Sequence, residues 1–266
     1  MADDFEIKRV PLYIKGLDEE IQGGIPENHV VLVAGSAGTM KSSIAFNILY
    51  NEAINGKTGL YITLEQSYHS LLKHIINMGF DLRATNIVIL DDIGKINDTI
   101  AKVKSLKGCM IITDIGAIRK QVKNMSDKPS GDWLNVIKNI LKKLRENTNL
   151  SLFCLDSLAA LSVVSDFSEN ARSQLFYLFE FFRELMITTY LISEMPVSGT
   201  KYGQFEIEDF LADGIIHLEL APRMRKVDRN IRIVKMRATR VNTDIFTLEF
   251  RNGKFSALYG GKTPLV

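Results

Sequence analysis

The residues best suited to do chemistry stand in one short stretch, Gly35-Ser36-Ala37-Gly38-Thr39-Met40-Lys41-Ser42-Ser43. It follows the phosphate-loop pattern G-x-x-x-x-G-K-[ST] at Gly35, Lys41 and Ser42, with Met40 in the place of the second glycine. In such a loop, successive backbone N–H groups and the positive end of the next helix cradle phosphate oxygens. Lys41 is placed to reach the β- and γ-phosphates, and Ser42 to offer its hydroxyl to Mg²⁺. The stretch therefore predicts a site for a nucleoside triphosphate with magnesium. Met40 makes the rate of turnover an open question. If its position takes a positive φ, the side chain costs on the order of 1–2 kcal/mol, and its bulk sits beside the phosphates.

Three further segments end in polar groups after apolar runs, as ligand-binding strands of open α/β sheets do. Tyr61-Ile62-Thr63-Leu64-Glu65-Gln66 offers Glu65 as a general base for an attacking water. Leu152-Phe153-Cys154-Leu155-Asp156 has the form of a Walker B strand, with Asp156 for Mg²⁺. Tyr190-Leu191-Ile192-Ser193-Glu194 offers Ser193 as a nucleotide-sensing group. Each ending is common by itself; together with the loop they are more specific. The segment from Arg223 to Arg240 is strongly basic, with Lys235 and Arg237 two apart. On a strand these two share a face. They suit either a solvated basic sheet edge or a pair supplied in trans to a neighbour's phosphates.

The elements that must hold these groups follow from periodicity. Val30 to Ala34 reads as a buried strand before the loop, and Ile44, Ile48 and Leu49 recur at helical spacing after it. Further strands are expected at 59–65, 87–90, 109–114, 150–156, 188–193, 214–220 and 230–238. Helices are expected at 70–78, with Gly79 as a stop, at 133–145 and at 171–186. The last of these is apolar nearly all round, which predicts burial between layers or at a subunit contact. Residues 246–250 and 254–258 flank Asn252-Gly253 as a β-hairpin. The fold class is α/β, a mostly parallel twisted sheet with helices on both faces and a C-terminal hairpin. No linker or repeat divides the 266 residues, so one domain over 1–266 is expected.

Composition narrows the class. The chain is 46% hydrophobic with a net charge of +2, which speaks neither for nor against nucleic acid. Cys109 and Cys154 lie in apolar runs and read as buried small hydrophobes. The four histidines lack metal-ligand spacing. The acidic start lacks a signal-peptide core, and no uncharged apolar run reaches membrane-spanning length. A cytoplasmic protein without membrane association is expected.

The chain resembles the KaiC-like branch of RecA-superfamily ATPases, in the single-domain form common in archaea. The resemblance rests on Gly16-Leu17-Asp18 with Gly23-Gly24-Ile25-Pro26, the Gly35–Ser43 loop, Tyr61 to Ser67, Leu155 to Leu161, and Phe210 to Ile216 followed by Val234 to Arg240. Residues 91 to 133 fit least well. The resemblance implies a RecA-like P-loop core with ATP and Mg²⁺ bound between subunits of a homo-oligomer, typically a hexameric ring. It implies Glu65 as catalytic base, Asp156 for magnesium, and Lys235 with Arg237 reaching the adjacent subunit's γ-phosphate. Gln66 replaces the second of two adjacent glutamates usual in the family; it orients water but takes no proton, which predicts slow hydrolysis.

The leading expectation is thus a slow Mg²⁺-dependent ATPase acting as an oligomeric switch. A nucleotide-binding scaffold for a partner protein, without meaningful hydrolysis, is the second reading. A DNA-associated recombinase-type ATPase is the third: the 162–172 segment is poor in basic residues, Arg119 to Lys123 resembles a solvated face, and Pro196 to Phe205 is the better candidate loop. The family resemblance also leaves autokinase activity open, with no acceptor singled out by the sequence.

Overall fold

The computed structural model describes residues 6–125, 133–165, 170–195, 202–203, 207–223 and 226–259. Four elements open the chain: β1 (Arg9–Val10), β2 (Ile14–Lys15), β3 (Ile25–Pro26) and β4 (Val30–Gly35). The phosphate loop leads from β4 into α1 (Lys41–Ile54). There follow β5 (Thr58–Thr63), α2 (Tyr68–Asn77), β6 (Ile87–Ile89), α3 (Ile96–Lys104), β7 (Cys109–Asp114), α4 (Ile115–Met125) and α5 (Trp133–Asn147). Next come β8 (Leu150–Asp156), α6 (Leu158–Val164), α7 (Ala171–Glu184), β9 (Thr188–Glu194) and α8 (Glu208–Leu211). The chain closes with β10 (Gly214–Arg223), β11 (Lys226–Met236), β12 (Phe246–Arg251) and β13 (Lys254–Tyr259).

Eleven strands form one sheet in the order β2-β13-β12-β11-β10-β4-β9-β8-β5-β7-β6. From β10 to β6 every neighbouring pair is parallel, so the carboxyl ends of β4, β9, β8 and β5 meet at one edge. β11, β12 and β13 extend the sheet in antiparallel fashion. The hairpin expected at the C-terminal end is present, with Asn252 at φ 51° and Gly253 at φ 73° in its turn. Positive φ at both central residues gives the twist that a tight hairpin needs.

Period-2 alternation sorts the side chains into two cores. Val31, Val33, Tyr61, Leu152, Cys154, Tyr190 and Ile192 face α1 and α2. Val30, Leu32, Leu60, Ile62, Phe153, Leu155 and Leu191 face α3 to α7. Both cysteines are buried and free. The α2 helix ends as expected: Gly79 takes φ +92°, and the N–H groups of Gly79 and Phe80 donate to Ile76 and Ile75 carbonyls.

The α7 helix is not wholly buried between layers. Leu175, Leu178, Phe179 and Phe182 are buried, but Phe176 and Tyr177 face solvent, so only one side packs within the chain. The 91–133 stretch supplies α3, β7 and α4, of which only β7 was expected. Most of the Pro196–Phe205 loop lies outside the described residues, as do 166–169. Among the described residues, no helix is long and apolar enough to cross a membrane.

Candidate functional site

A cavity of about 840 Å³ opens at the carboxyl edge of the parallel strands, lined by Ala37 to Ser43. Two of its acidic groups arrive by strand parity. Asp156 continues the Leu152, Cys154 alternation onto the α1 face, and Glu194 continues Tyr190, Ile192. Ser193 has the opposite parity; it is 2% exposed and does not line the cavity. The residue expected at the end of β9 is therefore displaced by one, to Glu194, a signal that counting from the apolar positions would have exposed. β5 stops at Thr63, so Glu65 projects from the loop beyond it.

The loop itself is tightly held. Gly35 lies where a Cβ would stand 2.4 Å from the Leu218 carbonyl oxygen, so only glycine fits. Gly38 turns at φ +81°, and the buried Thr39 hydroxyl donates to the Ser36 carbonyl at 2.8 Å. Met40 adopts φ 75° at the start of α1, the left-handed conformation for which the pattern's glycine is suited. Lys41 Nζ donates to the carbonyls of Gly35 and Ser36, each at 2.9 Å, and lies 3.9 Å from Glu194. Burial lowers its pKa, and the Glu194, Glu65 and Asp156 carboxylates oppose that shift.

Asp156 is almost wholly buried. Tyr61 donates its hydroxyl proton to Oδ2 at 2.7 Å, and Oδ1 has no hydrogen-bond partner. Burial pushes its pKa up to about 6, against the pull of the Tyr61 and Ser42 hydroxyls. An ionised carboxylate with an unpartnered buried oxygen beside a serine hydroxyl is a donor set suited to a hard divalent cation. Glu65 accepts a hydrogen bond from Ser157, whose Oγ also caps α6 by accepting from Ala160 N–H at 3.3 Å. The base candidate is thus oriented by a helix cap. Gln66 lines the same wall.

The cavity also holds residues that motif reasoning did not single out for it. Arg229 of β11 donates through Nε to the Gly38 carbonyl at 3.3 Å. His74, Asn77 and Met78 enter from α2, and Leu248 and Phe250 from β12. Only the packing of β12 against the end of α2 brings these two elements to the phosphate loop.

Lys235 and Arg237 do not reach this chain's cavity. Lys235 Nζ donates to the carbonyls of Asp209 and Ala212 at 3.0 and 2.7 Å. Arg237 pairs with Asp213 at 2.6 Å. The register of β11 explains the direction. Ile215 pairs with Lys235 but Ile216 pairs with Ile233, so Val234 is an extra residue. That bulge turns Lys235 away from the face of Ile231 and Ile233, toward α8.

The KaiC ATPase family model matches residues 10–256. A UPF0273 protein of Saccharolobus solfataricus is 30% identical over 236 residues, covering 89% of this chain and 78% of that protein. The circadian clock oscillator protein KaiC of Thermostichus vulcanus is 24% identical over 93% of this chain, and the chain spans only 44% of its length. Among solved structures, the KaiC-like protein from Pyrococcus horikoshii OT3 superposes with a TM-score of 0.72 at 26% identity, covering 96% of this chain and all of that one.

Proposed function

The chain belongs to the KaiC ATPase family, and from that premise we propose that it binds ATP with Mg²⁺, hydrolyses it slowly, and uses nucleotide occupancy to switch a homo-oligomer, a hexameric ring with ATP at the subunit interfaces. The observation that carries this reading is the convergence of Lys41, Glu65 and Asp156 on one cavity beside a helix N-terminus. Two cations, Lys41 and Arg229, face three carboxylates there, so an anionic phosphate chain enters best with a divalent cation.

The residues divide the work. Lys41 leaves its own loop carbonyls to contact the β- and γ-phosphates. Loop N–H groups hold the remaining oxygens, and Ser42 with Asp156 would hold Mg²⁺. When bound, the cation neutralises charge developing on the phosphates. Glu65 accepts the proton of the attacking water, Gln66 orients that water, and Arg229 steadies the loop from the same chain. Lys235 and Arg237 act in trans, exchanging their contacts at Asp209, Ala212 and Asp213 for a neighbour's γ-phosphate.

One observation favours the scaffold reading: the Ser157 hydroxyl already occupies Oε1 of Glu65, an oxygen that an attacking water would need. Phosphate release with Mg²⁺ discriminates. Wild type turns over slowly and Glu65→Gln loses at least about 100-fold. Equal release from both would remove Glu65 from the mechanism, and tight ATP binding with no release by wild type would establish the scaffold. A partner protein fits either reading, and nucleic acid is not favoured.

A further inference from the structure

Ser43 is 3% exposed, and its hydroxyl meets two side chains, Met78 and His74. Its Oγ donates to the Met78 thioether sulfur at 3.3 Å, a weak acceptor, and lies 3.4 Å from His74 Nε2. All three side chains line the cavity at the end where Asn77, Leu248 and Phe250 replace the carboxylates. Ser43 is the third residue of α1, so its backbone N–H belongs to the unpaired first turn, and a phosphate oxygen held there lies within reach of its hydroxyl.

We propose that His74 is a nucleotide-positioning residue. It donates from Nε2 to Ser43 Oγ, so that the Ser43 proton swings from Met78 sulfur onto the phosphate nearest the nucleoside. The hydroxyl exchanges a thioether for a charged oxygen, and the imidazole satisfies the lone pair that remains. His74 thus contributes to holding the part of the ligand shared by ATP and ADP. This inference rests on the nucleotide-binding reading above and specifies how that site grips its ligand.

Equilibrium binding of Mg-ATP and of ADP to the full chain, with melting temperature as a control for folding, provides the test. His74→Leu is expected to weaken both nucleotides by the same factor, about 3- to 10-fold, the range of one neutral hydrogen bond. His74→Gln, which keeps a donor, is expected to restore affinity to within about twofold. Ser43→Ala is expected to cost a similar factor, and the double variant Ser43→Ala/His74→Leu no more than Ser43→Ala alone, because the two act as one relay. Additive losses, a loss confined to ATP, or unchanged affinity in His74→Leu would each overturn the assignment while leaving nucleotide binding intact. Failure of wild type to bind either nucleotide would overturn the site reading, and this inference with it.

Discussion

The two ends of the phosphate-loop cavity are built from opposite chemistry. At one end Glu65, Asp156 and Glu194 surround Lys41, and these charges act on the buried Lys41 and Asp156. At the other end His74, Asn77, Met78, Leu248 and Phe250 form a wall without a carboxylate. Phe250 stacks on Phe80 with ring centroids 5.9 Å apart, which fixes an aromatic face at the rim. On the proposed reading the first end takes a divalent cation and a reacting phosphate, and the second a nucleoside. Damage to the first should therefore appear in turnover and metal dependence, and damage to the second in affinity.

The largest expected effect is at Lys41. Lys41→Ala should reduce phosphate release at least about 100-fold. Turnover within a few-fold of wild type would mean that the carboxylate end does not hold the reacting phosphate.

Asp156→Asn should abolish the Mg²⁺ stimulation of nucleotide binding and raise the stability of the nucleotide-free protein at pH 7.5. The sign follows from burial. With its folded pKa raised to about 6, Asp156 favours the fold while protonated, and that stability is lost as pH rises from about 4 through 6. Removing the charge should recover about 2–3 kcal/mol at pH 7.5 and nothing below pH 4. Asp18 is also raised to about 6 by burial, but it is common to both proteins and cancels in the comparison. Denaturant melts in chelator at the two pH values measure this, and equal stability at pH 7.5 would show that Oδ1 is not an uncompensated acceptor.

Phe250→Ala probes the opposite end. Binding of ATP and ADP should weaken alike, by about 3- to 10-fold, with Mg²⁺ dependence retained. A selective effect on ATP would blur the division between the two ends.

Met40→Gly should move stability least. Relief of the left-handed strain, about 1–2 kcal/mol, is offset by the flexibility of glycine and by loss of the Met40 packing against the α1-side core. The net change should stay within about 1 kcal/mol, while the rate of phosphate release changes. Unchanged rate and affinity would show that the methionine side chain has no influence on the phosphates.

Much of the carboxylate end was legible in the residues. The loop, Glu65 and Asp156 are local motifs, each a few residues long after an apolar run, and adjacent parallel strands bring such endings to one edge. Glu194 was legible too, by parity with Tyr190 and Ile192, although Ser193 was the residue expected. The nucleoside end was not. His74 lies 31 residues from Ser43, and Phe250 is 207 residues beyond it. No spacing rule links residues so far apart; their meeting depends on α2 packing beside α1 and on the C-terminal hairpin reaching Gly79 and Phe80.

By itself, then, the sequence determined what depends on neighbours along the chain: two hydrophobic faces alternating along each strand, a glycine-built phosphate loop, and carboxylates at strand ends. Only the tertiary structure decided what depends on register and long-range packing. Lys235 pairs with Ile215, level with Leu32 and three residues short of Gly35 at the loop, and the extra residue at Val234 turns it toward α8, while Arg229, six residues earlier on β11, reaches the loop. A side-chain period of two makes facing reverse with every inserted residue, and a bulge is set by how strands pair rather than by the residues that bulge.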